Sequence, residues 1–136
     1  MTLVEVHLFN RLISFAGVAA LVGSRIFPLK MAPDTKLPAI TYQRISGERV
    51  LSMDKDSGLA HPRIQFDAWG NSYAEVKRLA EQVRLALEGY RDMTSTVLIN
   101  GVIYLGDTDL YSEAESTEIY RVSMDFEVWH NEAEPT

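Results

Sequence analysis

Imidazole and carboxylate are the groups that most often move protons or hold a metal ion, and in this chain they are scattered. The three histidines, His7, His61 and His130, fall on the polar strip of a helix, beside a proline and at the end of a strand, without ligand-like spacing. They read as surface histidines. Asp54, Asp56 and Gly58 begin like a calcium loop, but that loop needs glycine at its sixth position and glutamate at its twelfth, where this chain has Leu59 and Gln65. Asp107 and Asp109 could share a divalent cation, and Asp67 could act as a general base if buried. Nothing nameable converges on either, so a solvated acidic turn and a structural or interfacial aspartate are favoured. With no cysteine among 136 residues, disulfides, thiolate metal sites and thiol catalysis are excluded. The chain holds no nucleophile elbow, phosphate-cradling glycine loop or dinucleotide fingerprint. No catalytic residue, metal or cofactor is therefore assigned.

The element that carries Asp67 is the best defined in the chain, a strand running into a helix over residues 63–90. Ile64, Phe66 and Ala68 alternate with Gln65, Asp67 and Trp69, the two-residue period of a sheet with unlike faces. Gly70 and Asn71 break the strand. Ser72 is placed to cap a helix, with Glu75 able to reach back to the Ser72 amide. Tyr73, Val76, Leu79, Ala80, Val83, Ala86, Leu87 and Tyr90 fall in one arc of that helix, and Gly89 ends it. Leu85 sits alone on the polar side, a contact candidate if the protein assembles.

The remaining elements arrange themselves around this unit. Thr2 and Glu5 form a second capping box, opening a helix over residues 3–15 whose apolar arc is wider than one packing face. That width makes Leu8, Phe9 and Leu12 candidates for contact with a partner chain, with burial under the long loop that follows as an equal alternative. A short helical turn follows and ends at Gly23. Pro28 and Pro33 mark an edge or extended connection, and residues 39–46 read as a strand. Residues 48–58 fit a hairpin arm carrying Arg49, Leu51, Met53 and Lys55, poorly packed on its own domain. Asn100-Gly101 between two apolar runs predicts a two-residue hairpin turn. Residues 107–118 read as an acidic loop, and residues 119–129 as a closing strand with five alternating periods.

The composition is 46% hydrophobic and 24% charged, the usage of an ordinary globular chain, and the length suits one domain over residues 1–130 with an acidic tail over residues 131–136. The net charge of −6 argues against a phosphate-gripping surface, which needs clustered Lys and Arg. The start lacks the marks of a secretion signal, and no apolar run approaches membrane-spanning length, so a reducing cytoplasm is expected. These elements together predict an α+β fold of two layers. A mostly antiparallel sheet packs against an N-terminal helix and a central amphipathic helix.

The order of LVGSRIFP, LPAITYQRISG, SGLAHPRIQFDAWGNSYAEVKRLAEQVRLALEG and DLYSEAESTEIYRVSMDFEVWH resembles the tail-completion family of tailed phages and gene transfer agents, also described as tail-terminator or head-tail joining proteins. The resemblance covers residues 21–130. It implies a small subunit without catalytic residues that forms a ring, expected to be hexameric. Such a ring caps the tail tube, stops its growth and meets the head connector, while DNA passes through without specific binding and no membrane takes part. Assembly would occur in the host cytoplasm and the protein would end in the virion. Leu8, Phe9, Leu12, Arg49, Leu51, Met53, Lys55 and Leu85 are then the expected contacts with neighbouring copies or the tube. Gln65, Asp67, Asp107, Asp109, Asp125 and Glu127 are the expected channel lining. A small-molecule-binding module is the rival reading, and an Asp-dependent enzyme a more distant one.

Overall fold

The computed structural model describes residues 4–46, 49–51, 56–94, 97–114 and 117–131. Its elements run α1 (Val4–Ser14), α2 (Ala16–Val22), β1 (Ile26–Pro28), β2 (Ala39–Ser46), β3 (Arg49–Leu51), β4 (Asp56–Ala60), β5 (Arg63–Gly70), α3 (Tyr73–Leu87), β6 (Leu98–Ala114) and β7 (Thr117–Asn131). This is the expected two-layer α+β arrangement. Among the described residues no single helix is long and apolar enough to cross a membrane.

The seven described strands reduce to four long lines and one short one. β4 and β5 both lie antiparallel along β7, and the register runs without a slip across the break between them: Ala60 faces His130 and Arg63 faces Glu127. β2 and β3 follow the same line on the other side, with a bulge between Arg44 and Ser46. β6 flanks the opposite side of β7, and β1 adds a short parallel edge to β2. The spatial order is thus β1, the β2–β3 line, the β4–β5 line, β7 and β6.

The three described helices cover one face. Val4, Leu8 and Leu12 of α1, Val18 and Val22 of α2, and Val76, Leu79, Val83 and Leu87 of α3 bury themselves on Ile40, Ile64, Phe66, Val122, Met124, Phe126 and Val128. Phe66 stands edge-on to Phe126 at 5.7 Å. α1 turns into α2 by 83° at Phe15, which lets both helices reach the same sheet. Arg11 fastens α1 to α3, donating from Nε to the Ala86 carbonyl at 2.9 Å with its guanidinium over the Tyr90 ring.

The caps of α3 follow the sequence with one change. Ser72 Oγ accepts from the Glu75 amide at 3.2 Å, but the Glu75 carboxylate receives the amide of Asn71 rather than that of Ser72. Gly89 has φ +76° and sends its N–H to the Val102 carbonyl, so the end of the helix is tied directly to β6.

Two expectations are overturned by β6. Asn100-Gly101 is no hairpin turn: the strand continues through it for 17 residues, and the extra residue is absorbed as a bulge between Ile99 and Gly101. Gly101 is not among the left-handed glycines, and the Asn100 amide donates to Asn131 Oδ1 at 2.7 Å instead of closing a turn. Residues 107–118 are likewise no loop, since β6 runs to Ala114 and β7 starts at Thr117. Asp107, Asp109 and Glu113 recur at the strand period, and each faces a residue of β7.

Candidate functional site

The helix-free face of the sheet is where polar groups gather. Alternation along β5 and β7 sends Gln65, Asp67 and Trp69 out beside Arg121, Ser123, Asp125, Glu127 and Trp129, all half-buried. The carboxylates there each have a donor within reach. Arg63 meets Asp125 at 2.6 Å, Gln65 Nε2 donates to Asp67 Oδ1 at 2.9 Å, and Arg121 stands 3.9 Å from Asp67. Trp129 Nε1 donates to Glu127 at 2.6 Å, and the Trp129 ring stacks on His61 at 4.3 Å. Arg121 also lies over the Trp69 ring, whose Nε1 donates to the buried Thr41 hydroxyl. The result is a flat plate of three carboxylates and two guanidiniums, paired across strands, rather than two acids aimed at one point.

Asp107 and Asp109 stand on the other side of the sheet. They pair with Met124 and Val122, which face the helices. Asp109 accepts from the Tyr73 hydroxyl at 2.8 Å and from Lys77 Nζ at 3.1 Å. The Tyr73 bond, then the Lys77 bond, hold its carboxyl below the usual carboxylate range. Asp107 accepts from the Tyr104 hydroxyl, and burial together with that bond raises the phenol. Gln65, Asp67, Asp125 and Glu127 are therefore brought together on one surface, and the other two acids are separated from them by the thickness of the sheet. Among the described residues no three His, Asp or Glu gather as a metal site.

The apolar candidates also divide. Leu8 and Leu12 are 0% exposed in the core of the subunit itself, so they offer no surface to a neighbour. The wide apolar arc of α1 is used within its own subunit, packed with α2, α3 and core residues of the sheet. Phe9 is half-buried against that core, while Val6 and Ile13 are the exposed apolar residues of α1, and Leu85 is 49% exposed on α3. Arg49 and Leu51 lie on β3, pairing with Ala60 and Asp56. Met53 and Lys55 lie outside the described residues. Sequence reasoning passed over Ile103, Leu105, Leu110 and Tyr111, all exposed on β6. Alternation could not have found them, since Val102 to Leu105 form one apolar run, Leu110 and Tyr111 are adjacent, and a bulge between Tyr104 and Gly106 shifts the register.

The chain matches, over residues 6–131, a family model described as Tail completion protein gp17. No curated protein matches it in sequence. In structure it is similar to a chain from the virion of a native gene transfer agent particle, with 20% identity, 91% of each chain covered and a TM-score of 0.63.

Proposed function

The chain belongs to the tail completion protein gp17 family, and on that premise we propose that it terminates the tail of a phage-like particle. It is a structural protein of the tail. Copies form a ring, expected to be a hexamer, that caps the tail tube, halts its growth and presents the surface that meets the head connector. Its partners are further copies of itself, the major tail tube protein and the connector, and no membrane takes part. Assembly proceeds in the host cytoplasm, and the protein ends in the virion at the junction of head and tail. We read it as non-enzymatic. The observation that carries the reading is the family match, which spans elements from α1 to β7.

The plate of Gln65, Asp67, Asp125 and Glu127 supports a place on the channel wall. Its two guanidiniums are already set against carboxylates, so passing DNA meets no row of free cations to hold it. With the helices turned outward, Asp107 and Asp109 fall on the outer side of that wall and do not line it.

Deleting the gene in the strain that encodes it and imaging particles by electron microscopy tests the reading. Overlong tails, or tails detached from heads, are expected. Tails of normal length joined to heads would overturn it.

A further inference from the structure

The sheet ends on each side in backbone that no described element covers, and the two open lengths are unlike. Backbone groups of a strand alternate between its neighbours. The Val128 N–H donates to the Pro62 carbonyl, so the odd-numbered residues of β7 turn theirs to β6. Their partners Gly106, Thr108 and Leu110 are engaged there, which leaves Asp107, Asp109, Tyr111 and Glu113 directing N–H and C=O to the far side. Near its start β6 is covered on that side, by Asp92 at Ile99 and Gly89 at Val102. Beyond Val102, no described backbone group bonds there.

At the other end of the sheet β1 covers only Ile40, Thr41 and Tyr42 of β2. The Leu29 N–H on the Tyr42 carbonyl closes that contact. Residues 43–46 and β3 have β5 and β4 on one side and no described strand on the other.

Three properties fit these lengths to each other. β2, β5, β7 and β6 alternate in direction, so a second copy's β2–β3 line laid along β6 continues an antiparallel sheet. β6 holds Asp107, Asp109 and Glu113 and no Lys or Arg, Asp109 being paired with Lys77, whereas residues 43–51 hold Arg44, which meets Glu5 at 2.8 Å, and Arg49 against Glu48. Two β6 edges side by side would set acids against acids, which disfavours that pairing. The open part of β6 also lies level with the Gly70 end of β5, and the open part of the β2–β3 line level with β4. Joining them displaces each copy along the strands, the stagger that a closed barrel requires.

We propose that residues 107–113 of β6 in one copy pair antiparallel with residues 43–46 of β2 and with β3 of the next. One sheet then runs around the ring, with the plate of paired charges inside and the helices outside. This rests on the ring proposed above. Four strand lines per copy mean that even four copies supply about 16 strands, the number at which a barrel encloses a water-filled channel.

Proline at an edge position whose N–H faces away from the sheet blocks an added strand and leaves the chain's own ladder intact. Tyr111→Pro closes β6 and Arg44→Pro closes β2. Wild type, each variant and their equimolar mixture are compared by sedimentation velocity, alone and with purified tail tubes, after circular dichroism has checked the fold. The wild type is expected to form rings, each variant to stay monomeric, and the mixture to stop at a dimer, since each variant keeps one live edge. Variants that form rings as the wild type does overturn the edge pairing and leave the ring reading standing. A wild type that stays monomeric even with tubes overturns both. Should a proline variant fail to fold, Asp107→Lys with Glu113→Lys leaves the backbone unchanged and is expected to weaken ring formation at least about tenfold; an unaltered association overturns the inference.

Discussion

The Asp109 carboxylate receives both the Tyr73 hydroxyl, at 2.8 Å, and the Lys77 ammonium, at 3.1 Å, and so fastens the first turn of α3 to the outermost strand of the sheet. The acid thus has a task inside the subunit, and its titration is coupled to folding.

Asp109→Asn tests that coupling. The carboxyl is depressed on folding, so its contribution is present above the ordinary carboxylate value near 4 and is lost as pH falls through the lower folded value. Lys77 is raised by the same contact, so its share is present below the ordinary lysine value of about 10.4 and is lost as pH rises through the higher folded value. Because the two side chains are 41% and 42% exposed, the variant is expected to lose only about 0.5 kcal/mol at neutral pH. Urea unfolding at several pH values should show that difference shrinking at both acid and alkaline extremes.

Leu8→Ala separates core from interface. With Leu8 sealed in the subunit, the substitution should destabilise the dilute monomer by about 2–5 kcal/mol in denaturant unfolding. Leu85→Ser, on an exposed position of α3, should change monomer stability by no more than about 0.5 kcal/mol.

Gly70→Ala probes the strand-to-helix corner. A Cβ at this position would come 3.1 Å from Val76 Cβ and 3.2 Å from the Val76 amide nitrogen. Neither can swing aside without moving the first turn of α3. A loss of roughly 1–3 kcal/mol is expected, visible as a lowered Tm with the secondary structure retained.

Leu29→Asn should go the other way. Leu29 holds φ +66° while 73% exposed, a conformation that costs a branched side chain about 1–2 kcal/mol and suits asparagine better. A rise in stability of up to about 1 kcal/mol is the expected result by thermal melting.

Local signals carried most of the fold. The alternation over residues 63–70, the Ser72 cap and the Gly89 stop each arise from residues a few positions apart, and each lies where its chemistry requires. Asn100-Gly101 misled because turn preference is equally local, while the pairing that overrides it comes from Trp129 and His130, far along the chain. The same blindness hid the sides on which side chains fall. Asp67 and Asp109 look alike in sequence, yet register against β7 puts one on the open plate and the other beneath α3. The broad arc of α1 predicts a partner, whereas Leu8 and Leu12 are buried in the subunit's own core with residues of α2, α3 and the sheet.

The uninterrupted register across His61 and Pro62 sets a rule about chain length. Removing or inserting one residue between Ala60 and Arg63 would put the two halves of this line out of step along β7. If β4 kept its place, Gln65 and Asp67 would turn toward the helices and Phe66 toward the open side. Relatives of this chain are therefore expected to keep the two-residue spacing between Ala60 and Arg63.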